Sequence, residues 1–274
     1  MPIFSLNDID INYIKEGKGE PLVFLSGTFT KLQSWNFQIE FFKDKMMVIA
    51  LDNRGAGKSS RPDYYYTLDM FVEDLKNLLN YLDINKDVHL CGLSMGGMIA
   101  QKFTLKYPSI VKTLILCATG CYYPSKTVDQ NNFLFNQFKE QDVEQRVEFT
   151  LKMLYSMSFR KKLMEDKELY EKIKRDMNFI AHTEDPPLYQ DYINQNEALR
   201  DFDMREELSK ILSPTLIISG SKDRMSIPGI PEFMHERIPN AQLEFIKGLG
   251  HGLTIEDPKT VNTVIWRFIK EHLR

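Results

Sequence analysis

Between Asp87 and Lys106 the chain passes from an apolar, strand-like run into an apolar helical run through Gly92-Leu93-Ser94-Met95-Gly96-Gly97. That junction constrains the fold more than any other stretch. Glycine is used where Cβ atoms would collide or where φ must be positive. A serine that only capped a helix would not need glycines on both sides. The stretch CGLSMGGMIA (Cys91 to Ala100) therefore reads as a tight, strained strand-to-helix turn with Ser94 at its tip. This is the G-x-S-x-G arrangement, which stands a hydroxyl above a strand end. The helix that starts there presents N–H groups and a dipole that favour developing negative charge.

Around this junction, strands alternate with helices. Ile11–Gly17, Leu22–Gly27, Met46–Asp52, Asp87–Cys91 and Thr113–Cys117 read as strands. Leu68, Phe71, Val72, Leu75, Leu78, Leu79 and Leu82 recur at helical spacing, and Met95–Lys106 is a second helix. From about Cys121 to Leu208 the alternation stops. That segment is helical, polar and aromatic, with amphipathic patterns at Leu151–Met157 and Leu169–Ile180. The alternation then resumes with strands Thr215–Gly220 and Ala241–Ile246, a helix at Pro231–Arg237, and a last helix carrying Val261, Val264, Ile265, Phe268 and Ile269 on one face. Strands alternating with helices mean a mostly parallel sheet covered on both faces. The expected architecture is α/β: a doubly wound, mostly parallel eight-stranded sheet flanked by helices. Residues 1–121 and 209–274 form its core, and residues 122–208 an inserted helical cap.

Composition narrows the function classes. The 274 residues are 43% hydrophobic and 27% charged, with a formal net charge of −3, which describes a soluble globular chain with no basic excess for nucleic acid. No apolar run approaches the roughly 18 residues that span a bilayer. The start, MPIFSLNDIDINY, has no cationic segment followed by an apolar core. The three cysteines, Cys91, Cys117 and Cys121, form no CxxC pattern, which argues against a disulfide framework and a zinc site. A reduced, cytoplasmic setting is expected, with no metal and no cofactor, as a monomer or homodimer.

Serine is a weak nucleophile and needs a base, which in turn needs an orienting acid. Of the five histidines, His89 lies inside the strand leading to Ser94, His182 in the helical insert, and His235 and His272 on late helices. His251 stands in the loop Lys247-Gly-Leu-Gly-His-Gly-Leu after the last strand, from which it can reach over the sheet edge, and it is the expected base. Asp223, in Ser219-Gly-Ser-Lys-Asp after the strand that begins at Thr215, is the expected acid; its bland alternative is an Asx-turn residue. The order Ser, Asp, His is that of one fold among the serine hydrolases.

These motifs together resemble the α/β-hydrolase fold superfamily along essentially the whole chain. The elbow, Gly220-x-x-Asp223 and Gly248-x-Gly250-His251 stand in family order, and Asp52-Asn-Arg54-Gly55-Ala-Gly57-Lys-Ser59 resembles the loop after an early strand. The resemblance implies a triad of Ser94, Asp223 and His251, and an oxyanion hole formed by the Met95 N–H and by Thr28, with Phe29 the next candidate. Many family members have His-Gly where this chain has Ser26-Gly27, so the bracing of that loop differs. Asp52 and Arg54 could clamp an anion or simply tie neighbouring loops together; the second reading is preferred. The G-A-G-K-S-S portion lacks phosphate-loop spacing.

A serine nucleophile argues against dehalogenase and epoxide hydrolase chemistry within this resemblance, and for acyl transfer. The expected substrate is a small-molecule carboxylic ester or lactone. The pocket is expected to draw on Phe29, Trp35, Tyr122, Tyr123, Phe133, Met153 and Met157, with Phe135, Phe149 and Tyr155 as further candidates. Carbon–carbon bond hydrolysis, thioester hydrolysis or perhydrolysis could use the same triad. A ligand receptor with this fold and little turnover is an alternative of another class.

Overall fold

The computed structural model describes residues 1–7, 9–137, 140–176 and 188–273. Its frame is an eight-stranded sheet: β1 (Ile3–Leu6), β2 (Ile9–Glu16), β3 (Pro21–Leu25), β4 (Met47–Leu51), β5 (Val88–Leu93), β6 (Val111–Cys117), β7 (Thr215–Gly220) and β8 (Ala241–Ile246). Their spatial order is β1-β2-β4-β3-β5-β6-β7-β8. β1 and β2 pair antiparallel, as do β2 and β4; every other pairing is parallel. The mostly parallel sheet expected from the alternation is therefore present. Its parallel strands all end at one edge, so the loops after β3, β5, β7 and β8 converge there.

Both faces are covered, which is why β5 (VHLCGL) is buried at all six positions. One face packs against α2 (Leu68–Tyr81), α3 (Met95–Lys106) and α9 (Ile230–Arg237), with Phe71, Leu75, Ile99, Phe103 and Met234 in a single core. The apolar stripe read along α2 is the face that is buried. The other face packs against α1 (Asn36–Phe42) and α11 (Pro258–Lys270) through Ile39, Phe42, Val261, Ile265 and Phe268.

Among the described residues, five α-helices stand between β6 and β7: α4 (Ser125–Gln137), α5 (Val143–Leu154), α6 (Met157–Glu165), α7 (Lys167–Asp176) and α8 (Tyr189–Glu197). The chains entering and leaving them run side by side, joined by Tyr123 N–H to Phe202 O (2.8 Å) and Met204 N–H to Cys121 O (2.7 Å). Val147, Leu151, Tyr155, Phe159, Leu163 and Ile173 give α5, α6 and α7 a core of their own, while Phe135 of α4 and Tyr192 and Ile193 of α8 pack with Phe29. The amphipathic run read at Leu151–Met157 is not one helix. It breaks at Tyr155-Ser156, where Ser156 leaves α5 and caps α6. Positions 177–180 of the expected second helix, and His182, lie outside the described residues. A short helix, α10 (Leu253–Glu256), follows the His251 loop. No helix among the described residues is long and apolar enough to cross a membrane.

Candidate active site

The turn after β5 has the strain its sequence implies. Ser94 sits at φ 53°, ψ −120°, a region that costs a non-glycine residue about 1–3 kcal/mol and persists only where surroundings enforce it. The enforcement is visible. The Ser94 carbonyl accepts from Gly97 N–H (2.9 Å) and from the Thr119 hydroxyl (2.7 Å), and its N–H donates to Cys117 O (3.0 Å). A Cβ on Gly92 would lie 2.3 Å from Gly96 O, and one on Gly96 only 2.2 Å from Leu25 O. The backbone can double back against β3 only because both residues are glycine.

His251, after β8, and Asp223, after β7, meet beside this turn. His251 Nδ1 lies 2.9 Å from Asp223 Oδ2, and both side chains are buried, at 8% and 2% exposure. Asp223 also accepts from the Ser226 hydroxyl (2.7 Å), Met225 N–H (2.8 Å) and Ser226 N–H (3.1 Å). Burial pushes its carboxyl up, but the neighbouring His251 and these hydrogen bonds outweigh burial and hold it down at about 2. An ionised carboxylate can only accept, so Nδ1 carries the proton and the lone pair of the neutral ring is on Nε2. Ser94 and His251 both line the same cavity of about 310 Å³. Among the described residues, no hydrogen bond holds the Ser94 hydroxyl.

The loop after β3 closes the site. A Cβ on Gly27 would stand 3.2 Å from Ser94 Cβ, so this backbone runs directly against the serine. Gly27 O accepts from Thr30 N–H (3.3 Å) and the Thr30 hydroxyl (3.0 Å). In a trans peptide that turns the Thr28 N–H the other way. Among the described residues no acceptor takes up the Thr28 or Met95 N–H. The Phe29 N–H is unsuited to an oxyanion, because it donates to Gln195 Oε1 at 2.8 Å. Ser26, where histidine is usual, is held by its hydroxyl to Lys31 O (3.3 Å), while its carbonyl accepts from Asn53 Nδ2 (3.0 Å).

Several expected pocket residues do line the cavity: Phe29, Tyr122, Tyr123 and Met153, with Phe135, Phe149 and Tyr155. Three do not. Trp35 is fully buried and stacks on Phe24 at 4.6 Å; its neighbour Ser34 faces the cavity instead. Phe133 is 65% exposed, since α4 turns Leu134 and Phe135 inward. Met157 is 60% exposed because the chain breaks at Ser156 before it. Arg54 does not reach the cavity: Asp74 holds it in a bidentate pair with both bonds at 2.6 Å. Asp52 accepts from Asn12 Nδ2 and from the Leu32 and Lys58 N–H groups. The loop-tying reading of both residues therefore holds. His89 is buried between Thr113 and Glu20, away from the turn. Three further residues were not singled out in the sequence: Ser226, Gln195 and Glu256. Gln195 and Glu256 reach partners 100 or more residues away and have no local signature, whereas Ser226 acts only three residues from Asp223. Glu256 joins the His251 loop to the α5–α6 junction, accepting from Gly250 N–H (2.8 Å), Ser156 N–H (3.0 Å) and the Ser156 hydroxyl (2.5 Å).

Among the described residues lining the cavity there is no Asp, Glu, Lys or Arg, and no cluster of three potential metal ligands occurs anywhere among the described residues. Such a site can bring a hydroxyl, a base and two backbone donors to an uncharged carbonyl.

Residues 20–258 match the family described as the alpha/beta hydrolase fold. The chain is 27% identical to 3-oxoadipate enol-lactonase 2 of Acinetobacter baylyi, over 98% of this chain and 99% of that protein. It is similar to a thermophilic esterase from Thermogutta terrifontis, with a TM-score of 0.84 and 27% identity, covering 97% of this chain and 95% of the other. It shares its fold with the enol-lactonase from Burkholderia xenovorans LB400, with a TM-score of 0.86 at 21% identity, covering 98% of this chain and 100% of that one.

Proposed function

The chain belongs to the alpha/beta hydrolase fold family, and from that premise we propose that it is a serine hydrolase cleaving a neutral, largely apolar carboxylic ester or lactone through an acyl-enzyme. The observation that carries this reading is the Asp223–His251 hydrogen bond on the cavity that also holds Ser94. Ser94 Oγ attacks the carbonyl carbon while His251 Nε2 takes its proton. The negative oxygen of the tetrahedral intermediate lies against the Thr28 and Met95 N–H groups and the α3 N-terminus. The carbon–oxygen bond to the leaving alcohol breaks as His251 returns the proton to it. Water then attacks the acyl carbonyl, losing a proton to the same nitrogen, and the acid leaves as Ser94 regains its hydrogen. Asp223 keeps the proton on Nδ1 and stabilises the imidazolium.

The helices α4 to α8, between β6 and β7, act as a cap that shapes the acyl site. The similarity to an enol-lactonase brings lactones into the same proposal as esters. The absence of ionic side chains among the described lining residues favours uncharged substrates. The test is hydrolysis of p-nitrophenyl esters from acetate to palmitate and of simple γ- and δ-lactones, with Ser94→Ala alongside. The expected result is turnover that falls at least about 10³-fold in the variant, with an optimum chain length set by the cavity. Folded wild-type protein that is inert on every ester and lactone would overturn the proposal.

A further inference from the structure

Gln195 belongs to α8, within the cap, yet its side chain is fully buried in the core side of the site. Its Oε1 accepts the Phe29 N–H at 2.8 Å, and its Nε2 donates to Arg54 O at 2.6 Å. One amide thus joins the loop after β3 to the loop after β4. The second loop is rigid in its own right, since Arg54 is fixed to Asp74 on α2 by two 2.6 Å bonds. The first loop needs such an anchor. Phe29 sits at φ 62°, a left-handed conformation that a bulky residue adopts only when held there. Its ring is held too, edge-on to Phe135 of α4 at 4.9 Å and to Tyr192 of α8 at 5.0 Å.

We propose that Gln195 is a positioning residue for the oxyanion hole, so that the cap sets the geometry of catalysis as well as covering the substrate. The inference rests on the serine hydrolase reading above. The Phe29 N–H and the Thr28 carbonyl share one peptide plane. Fixing that plane from Gln195, and the preceding plane through Thr30 and Gly27 O, leaves Thr28 no freedom to swing its N–H away from the cavity. Without the amide, Phe29 relaxes toward negative φ and the Thr28 N–H turns with it. An oxyanion donor is worth about 10²–10³ in rate, and misdirecting one forfeits part of that factor.

The test compares Gln195→Leu, which has nearly the same shape but no polar end, with Gln195→Glu, which keeps an acceptor for the Phe29 N–H. The readouts are kcat, KM and the affinity of a substrate-like trifluoromethyl ketone, whose tetrahedral adduct places a negative oxygen in the hole. Gln195→Leu is expected to lose roughly 10–100-fold in kcat and in ketone affinity with KM changed less than about threefold, while Gln195→Glu retains most of both. A merely structural role for Gln195 predicts lower thermal stability with unchanged ketone affinity in the surviving folded protein, and that result would overturn the assignment. Equal losses in ketone affinity for the two variants would overturn it as well. Labelling of Ser94 by a fluorophosphonate in wild type separates the two levels. No labelling sinks the serine hydrolase reading and this inference together; labelling with full ketone affinity in Gln195→Leu sinks this inference alone.

Discussion

Removing the Glu256 carboxylate should loosen the histidine loop and the α5–α6 junction together. Glu256 is 9% exposed and accepts three hydrogen bonds: two at Oε1, from Gly250 N–H and Ser156 N–H, and one at Oε2 from the Ser156 hydroxyl. Gly250 precedes His251, and Ser156 separates α5 from α6. A hydrogen bond to a charged group is worth roughly 1.5 kcal/mol or more, so Glu256→Ala should cost about 4 kcal/mol. For a chain of this size that lowers Tm by about 10 °C. Glu256→Gln tests the pattern rather than the charge. Its amide oxygen can still take both N–H groups, and its NH2 can donate to the Ser156 hydroxyl, which reverses its role. That variant should cost only about 1 kcal/mol. Urea unfolding monitored by circular dichroism measures both. Well below their midpoints, Glu256→Ala should also lose about tenfold in kcat/KM through the displaced His251, and Glu256→Gln much less. Equal destabilisation by the two variants, or none in Glu256→Ala, would mean that these three hydrogen bonds do not hold the loop.

The remaining predictions concern the pair beside Ser94 and the cavity above it. Asp223→Asn should keep the fold and cut kcat by about 10³–10⁴-fold, because an amide no longer enforces the Nδ1 proton or stabilises imidazolium; steady-state kinetics at saturating ester checks this. Asp223, with its carboxyl held at about 2 against an ordinary 3.8, should contribute about 2 kcal/mol of stability above pH 4 that is lost as pH falls through 2; urea unfolding between pH 6 and pH 2 should show that loss in wild type and not in Asp223→Asn. A p-nitrophenyl ester carrying a terminal carboxylate should fall at least about 10²-fold below its neutral analogue in kcat/KM, since the described lining offers the charge no partner; comparable values would contradict the neutral-substrate reading.

The frame of this molecule is legible in its sequence wherever one local constraint decides the outcome. Gly92 and Gly96 stand where Cβ atoms would collide with backbone, so the turn at Ser94 is written in residue type. The apolar stripe of α2 and the continuous apolar run of β5 follow from being buried on one face and on two. Asp223 and His251 could be singled out because parallel strands deliver their ends to one edge. The helices between β6 and β7 are harder to read. Met157 sits in an amphipathic pattern continuous with Leu151, and only the capture of Ser156 by Glu256, 100 residues away, shows that the helix breaks there. Phe133 and Phe135 are chemically alike, and helix phase alone decides which of them meets the cavity. Trp35 was expected on the cavity from its place beside the loop, but stacking on Phe24 turns it into the core. Gln195 has no sequence signature, since its partners Phe29 and Arg54 lie 166 and 141 residues away.

Ser94 is proposed to carry the acyl group, and peptide mass spectrometry of the trapped adduct tests this. Wild-type protein is mixed with a slowly deacylating p-nitrophenyl ester, quenched in acid within the burst and digested. One added acyl mass is expected, confined to the peptide containing Ser94 and missing from Ser94→Ala. Turnover with no adduct, or an adduct on another residue that persists in Ser94→Ala, would contradict it.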